Sequence, residues 1–306
     1  MVRKKSFPWS TLFEKVWTRS NKIMIKALFL MLFLAGPLGA SETAEEVFGS
    51  HEGASPGSSR AIGGYTYGCL AGGRMLEANG PGWQVMRLSR NRYWGHELLI
   101  DVVRDLAAGI KQAGHAGILV GDLSQPRGGP MHKAHRSHQM GLDGDIWFKP
   151  APDHEMSAKA RENISAVSML KDASFDTDPN LFGAREQLML ELAARDERVE
   201  RIFVHPGIKK AMCAVKGEAR DNAWMGKIRP WYGHHYHFHI RLSCPPGDQL
   251  CKPQAPVPAG IGCGEALAWW MGPEPYAPKP DAKPKKKPRK PLLREYPASC
   301  QLIARD

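Results

Sequence analysis

The 306-residue chain has no apolar run of the roughly 18 residues needed to cross a bilayer; its longest, residues 27–35, stops at Gly36-Pro37. It has no C-x-x-C pair, which removes the usual thiolate metal site, and no internal repeat. The helical zinc-peptidase motif H-E-x-x-H fails as well. His96-Glu97 is followed by Leu98-Leu99-Ile100, so the second His is missing. Nor is the body of the chain basic. The net charge is +11, but residues 1–40 hold seven Lys/Arg against one acid and residues 279–294 hold eight against one, leaving 27 basic and 29 acidic residues elsewhere. The positive charge therefore belongs to the two ends, which argues against nucleic acid as a partner of the folded part. With 42% hydrophobic and 24% charged residues, disordered, collagenous and coiled-coil classes are excluded too.

The basic N-terminus, the short apolar run and the small residues up to Ala40 predict a secretory signal peptide over residues 1–40, with cleavage after Ala40 and Met24 as an alternative start. No stable membrane span is expected after cleavage. In an exported chain the six cysteines (Cys69, Cys213, Cys244, Cys251, Cys263 and Cys300) predict three disulfides; spacing alone leaves all 15 connectivities open.

Residues 41–60 are rich in Gly, Ser and Glu and read as a flexible segment. Residues 101–113 place Val102, Val103, Leu106, Ala107 and Ile110 on one helical face, and residues 184–196 read as a second helix. Short strands are expected at 117–122, 144–148, 201–204 and 235–242. From Pro253 the chain turns Pro-rich, and residues 276–306 form a Lys/Pro-rich tail. Helices interspersed with a few strands predict an α+β domain over residues 61–275, built on a small antiparallel sheet flanked by helices and disulfide-stapled loops.

The histidines carry the chemistry. One cluster holds His132, His135 and His138, followed by Asp143 and Asp145; the other holds His234, His235, His237 and His239. In the second, polar and apolar residues alternate from His235 to Leu242. A strand here would send Tyr236, Phe238, Ile240 and Leu242 into the core and His235, His237, His239 and Arg241 to the opposite face. Imidazole is the commonest neutral metal ligand. By the same alternation Asp143, Asp145 and Trp147 share one face of their strand, and a loop folds His138 back beside Asp145. His138, Asp145 and His239 then offer two nitrogens and one oxygen, a set that suits zinc with a fourth position left for water. His237, two residues from His239 on the same face, is the expected base. His234 would support it or bind substrate, and His135 would be an extra ligand or sit just behind the ligands.

At these residues the sequence resembles the penicillin-insensitive murein endopeptidases, zinc peptidases grouped with lysostaphin and the D-Ala-D-Ala carboxypeptidases. The resemblance runs from about Gly63 to Trp270 and extends to Cys300. Its motifs are Tyr67-Gly68-Cys69, Gln84-Val85-Met86-Arg87, Arg92-Tyr93-Trp94-Gly95-His96 and His135-x-Ser137-His138-Gln139-x-Gly141-Leu142-Asp143-x-Asp145. They continue through Arg201-Ile202-Phe203-Val204, Arg229-Pro230-Trp231 and His234-x-x-His237-x-His239-x-Arg241-Leu242. The resemblance implies zinc on His138, Asp145 and His239, with His135 metal-proximal and His237 and His234 in the reaction. It implies disulfides Cys69–Cys300, Cys213–Cys263 and Cys244–Cys251. It also implies periplasmic hydrolysis of D-Ala–meso-diaminopimelate cross-links in peptidoglycan. Arg241 and Arg229 are candidate holders of substrate carboxylates, with pairing to an acid such as Asp143 as the alternative for Arg241. A second metal site found in some members is not expected here, because Asp172 has a match but Phe175 stands where a His is needed. The rival readings are a D,D- or L,D-carboxypeptidase of the same fold and a non-enzymatic periplasmic zinc- or wall-binding protein.

Overall fold

A computed structural model describes residues 42–132, 135–172, 174–216, 220–277 and 289–306; the predicted signal peptide and residues 278–288 of the tail lie outside them. Thr43–Asp306 is one compact unit. Among the described residues no helix is long and apolar enough to cross a membrane.

The centre is a seven-stranded sheet. Its strands, in chain order, are β4 (Asn79–Gly80), β5 (Trp83–Val85), β7 (Ile118–Val120), β8 (Asp143–Trp147), β9 (Val199–Val204), β10 (Ile228–Pro230) and β11 (His237–Leu242), while β3 (Arg74–Met75) and β6 (Trp94–Gly95) pair with each other outside it and helix α5 (Pro206–Lys216) follows β9 in the chain. They lie in the order β10-β9-β11-β8-β7-β5-β4. The fold is α+β as expected, but the sheet is larger than expected and mixed, since β10 runs parallel to β9 and β5 parallel to β7. Strands of two or three residues carry too short an alternation to announce themselves in sequence.

The apolar core fills one side of the sheet. Helix α2 (Glu97–Gln112) buries Leu99, Val102, Val103, Leu106, Ala107 and Ile110, and α4 (Ala184–Arg195) buries Met189, Leu190, Ala193 and Ala194. They meet Val120, Ile146, Ile202, Phe238 and Ile240 from the strands. The apolar stripe read at 101–113 is thus the face of a longer helix, which starts at its cap, His96. The opposite side of β8 and β11 is left to polar side chains, and there the site forms.

The expectation of a flexible segment at 41–60 is corrected. Thr43 caps helix α1 (Ala44–Gly49) in a reciprocal box with Glu46, and Ala44 and Phe48 are buried. They join Ile62 and Cys69 of the hairpin β1 (Arg60–Gly64) and β2 (Tyr67–Ala71) with Leu293, Tyr296, Cys300 and Ala304, the last two on α7 (Ala298–Arg305). A second small core therefore ties the two ends of the unit together, and the tail is folded from Pro291 onward. The three disulfides are Cys69–Cys300, Cys213–Cys263 and Cys244–Cys251.

Tyr236 is a second correction. It is 37% exposed rather than buried, because β11 begins one residue later, where His237 pairs with Trp147, the end of β8. Its carbonyl still accepts the Phe148 N–H at 3.2 Å, but the strand pattern has ended there and the side chain lines the cleft instead of the core.

Arg161 is buried, at 2% exposure, which a guanidinium tolerates when its donors are satisfied. Its guanidinium donates to the carbonyls of Met156, Ala78 and Val85 at 2.9–3.0 Å, to Gln84 Oε1 at 3.0 Å and to Asn79 Oδ1. It pins α3 (Ala158–Asn163) to the β4–β5 edge. Arg161→Ala would strand these acceptors and is expected to cost about 3–5 kcal/mol in urea unfolding. Arg161→Lys recovers little of that loss, because an ammonium lacks the planar fork that reaches all five.

Candidate metal centre

Strands β8 and β11 lie side by side and antiparallel, with His239 opposite Asp145 and Arg241 opposite Asp143. The register puts all four on the polar face. The third contributor arrives by a loop. Ser124 Oγ donates to the carbonyl of His138, and the His138 N–H donates to Asp143 Oδ2 at 3.1 Å. These bonds hold His138 at φ +67°, a left-handed conformation that few non-glycine residues adopt. Three residues on, Gly141 turns the loop at φ +71°. There a Cβ would stand 2.7 Å from the His96 nitrogen, which donates to the Gly141 carbonyl, so only glycine fits.

The result is a tight convergence. His138 Nε2 lies 3.1 Å from His239 Nδ1, which lies 3.1 Å from Asp145 Oδ1, and His138 Nε2 is 3.5 Å from that oxygen. The far ring nitrogens are committed elsewhere. His138 Nδ1 bonds the Leu123 carbonyl at 2.5 Å, and His239 Nε2 bonds Asp143 Oδ1 at 2.7 Å. A nitrogen bonded to a carbonyl or carboxylate carries the proton, so the converging nitrogens present lone pairs. Asp145 Oδ1 is buried and hydrogen-bonds to nothing. Two lone pairs and a bare carboxylate oxygen repel one another unless a cation lies among them. Ligands about 2.0–2.1 Å from one tetrahedral zinc ion stand about 3.3–3.4 Å apart, close to the distances found. The residues therefore fit zinc.

Asp143 is the anchor behind this set. It has no exposure, and besides His239 and the His138 N–H it takes Arg241 Nε at 2.6 Å. Burial opposes its ionisation, yet the Arg241 charge, then His239, holds its carboxyl well below the usual carboxylate range. In turn burial would depress His239, but the Asp143 carboxylate outweighs it and leaves the ring more basic than usual. Asp145 is likewise held well below its ordinary range: burial is overcome by His237, His138 and His135. Arg241, expected as a possible holder of substrate, is buried, with its charge used on Asp143 and its plane over Tyr65 and Phe203. Arg229 lies on β10 beside Lys209 and Gly262 and does not line the cleft. Neither is placed to receive a substrate carboxylate.

Asp143→Asn would keep an acceptor for His239 but leave Arg241 without its counter-charge. Zinc affinity is expected to fall about 10–100-fold, measured by competition with a chromophoric chelator. Unchanged affinity would show that Asp143 does not orient the ring.

The centre opens into a cleft of about 300 Å³ walled by Arg87, Arg90, Asp122, Trp147 and Tyr236, with His135 and His237 at its floor. His135 Nδ1 lies 3.5 Å and His237 Nε2 3.6 Å from Asp145 Oδ2. His135, His138 and Asp145 also form a group able to hold a metal. His234 reaches the site at φ +53° with its ring 4.9 Å from that of His237. Burial, then His237 and His239, pulls it down to about 3. The other histidines serve differently. His132 pairs with Glu45, His96 caps α2 through Nδ1 and faces Asp248, and His235 lies edge-on to His205 on the far side of the loop. Phe175 stacks on His205.

Sequence reasoning missed Asp122 and Arg90. Asp122 takes His135 Nε2 at 3.1 Å, Arg92 at 3.0 Å and Arg90 at 3.1 Å. Burial raises its carboxyl, but the His135 hydrogen bond and the two arginines bring it down to about 2. It sits just past β7 with no spacing pattern to mark it. Its link to the site, Asp145 N–H to the Asp122 carbonyl at 3.0 Å, exists only once β7 and β8 pair.

Comparison with known proteins gives the family. Residues 61–305 match the sequence profile described as penicillin-insensitive murein endopeptidase. A Haemophilus influenzae protein of that name is 39% identical over 292 residues, covering 92% of this chain and 96% of that protein. Proteins of the same name from Klebsiella pneumoniae and Yersinia pestis are each 37% identical over 247 residues, covering 81% of this chain and 86% of theirs. On the length and identity of these matches, the chain belongs to the penicillin-insensitive murein endopeptidase family.

Proposed function

We propose that this protein is a zinc-dependent murein endopeptidase, exported to the periplasm by residues 1–40, that hydrolyses D-Ala–meso-diaminopimelate cross-links in peptidoglycan. The observation that carries this reading is the convergence of His138 Nε2, His239 Nδ1 and the bare Asp145 Oδ1 beside an open cleft that Asp145, His135 and His237 line. Family membership supports murein as the substrate, and three disulfides with no free cysteine among the described residues suit an oxidising compartment.

His138, Asp145 and His239 would hold the ion, with His135 at the exposed side as an additional ligand. Zinc would supply a Lewis acid for the scissile carbonyl and bring the pKa of water near 7. The remaining work falls to the chain. Burial keeps His237 below its ordinary range despite the Asp145 charge, so the ring is neutral at pH 7 and able to take a proton from the attacking water. His237, now carrying that proton, delivers it to the departing amine, directly or by passing it to His234, whose ring lies 4.9 Å from its own. Arg90 is bonded to Asp122 on one side, and its side chain is 47% exposed on the other. That leaves guanidinium donors free for a carboxylate of the stem peptide. No serine nucleophile takes part, which accounts for insensitivity to β-lactams, since these acylate serine.

The test is to incubate the chain from Ser41, loaded with zinc, with purified cross-linked muropeptide dimers and to follow products by mass spectrometry. Conversion of dimers to monomers supports the proposal. Release of a single amino acid from intact dimers assigns a carboxypeptidase. Zinc bound without any hydrolysis leaves a periplasmic zinc- or wall-binding protein.

A further inference from the structure

A ladder of aromatic rings leads out of the site. Phe203 lies edge-on to His239 at 5.4 Å and to Trp231 at 5.8 Å. Trp231 meets Trp270 at 5.8 Å, and Trp270 meets Tyr232 at 5.0 Å and Trp269 at 5.2 Å. Tyr232 then meets Tyr276 at 5.7 Å. Trp231, Tyr232, Trp269 and Tyr276 are each 45–49% exposed. A contiguous patch of large apolar rings is costly to leave in water and marks a binding surface.

The patch is also held still. The Trp231 backbone N–H donates to the Val204 carbonyl, the Tyr232 hydroxyl to the Pro275 carbonyl and the Tyr276 hydroxyl to the Trp270 carbonyl. Trp269 and Trp270 lie on α6 (Glu265–Met271), two residues after Cys263, which is bridged to Cys213. Rings fixed in advance lose little entropy when a ligand stacks on them.

We infer that this ladder is a saccharide-binding platform for the glycan strand of the substrate, with N-acetylhexosamine rings stacked on Trp231 and Trp269. The inference rests on the murein reading above. Two observations choose this occupant. First, the ladder starts at the metal centre, where Phe203 lies edge-on to His239, and in murein the stem peptide hangs from the glycan, so a peptide held at the centre brings sugar within reach of the rings. Second, residues 231–236 and 265–277 contain Glu265 and Glu274 but no Lys or Arg. A polyanion or an anionic lipid surface needs basic side chains among the aromatics. A neutral pyranose needs only the negative π-face of a ring against its apolar C–H face.

The probe is the β-1,4-linked N-acetylglucosamine hexamer, titrated into the chain from Ser41 and followed by tryptophan fluorescence. Saturable binding is expected, weakened about fivefold to tenfold in Trp269→Ala and in Trp231→Ala, with thermal melts checking that each variant folds. Wild-type kcat/KM is expected to be at least fivefold higher on glycan-bearing cross-linked dimers than on the same dimers stripped of sugar. Absence of hexamer binding, equal rates on the two substrates, or a self-association lost in Trp269→Ala without any sugar response overturns the inference. The two readings fail separately. Hexamer binding without any cleavage removes the endopeptidase and keeps the platform, while cleavage of both dimers at equal rates does the reverse.

Discussion

His239→Ala is expected to release zinc and to lower the rate of cross-link hydrolysis by about 10³-fold or more. The loss follows from geometry. His239 Nδ1 is the atom 3.1 Å from both His138 Nε2 and Asp145 Oδ1, and no other side chain lies where its lone pair does. The fold should tolerate the change, because Asp143 keeps Arg241 and the His138 N–H as partners. The informative comparison is His237→Ala. That ring stands 3.6 Å from the other carboxylate oxygen of Asp145 and is assigned to proton transfer. Its removal should leave zinc content near one per chain while cutting the rate about 10²–10⁴-fold. Metal analysis and rate measurement on the same preparations separate the two roles. Zinc retained by His239→Ala, or lost from His237→Ala, would overturn this division of labour. Zinc should also raise the melting temperature of wild type and not of His239→Ala, since a ligand that binds only the native state stabilises it.

How far the sequence announced this site depends on whether the signal was local. The alternation around His237–His239 and Asp143–Asp145 placed those side chains on one face each, because a strand's period of two is written in consecutive residues. The pairing that sets His239 opposite Asp145 is not local: ligand chemistry brought the two clusters together and the family resemblance implied the same set, but neither gave the register. Tyr236 shows the limit of the pattern: the alternation runs one residue beyond the end of the strand, and there it misleads. Asp122 and Arg90 carried no pattern at all, since a single carboxylate after a three-residue strand looks like any loop acid. The segment at 41–60 failed for another reason. Its Gly, Ser and Glu content describes its loops, whereas Thr43, Glu46 and Phe48 decide its helix through one capping box and one buried ring.

Opening the Cys69–Cys300 bridge by the double substitution Cys69→Ala/Cys300→Ala is expected to cost about 3–5 kcal/mol of stability. The bridge spans a sequence separation of 231, so it removes a large loop-closure entropy from the unfolded chain. The contacts it secures are few. Phe48, Ile62, Leu293 and Tyr296 pack beside it in the second small core, so without the bridge the two ends of the unit are held by that core alone. The effect should reach the metal. Tyr296 stacks on Tyr67 at 4.3 Å and donates to Gln139 Oε1 at 3.1 Å, and Gln139 directly follows His138 and bonds the carbonyls of Thr66 and Arg136. Arg127, on the preceding loop, donates to the Ile303 carbonyl of α7 at 2.7 Å. The C-terminal helix is thus a brace behind the loop that delivers His138. Urea unfolding with and without zinc checks both parts. The double variant should unfold at lower denaturant in each condition and should bind zinc more weakly than wild type. A stability loss below about 1 kcal/mol, or a loss in stability with zinc affinity unchanged, would show that the brace and the metal loop are independent.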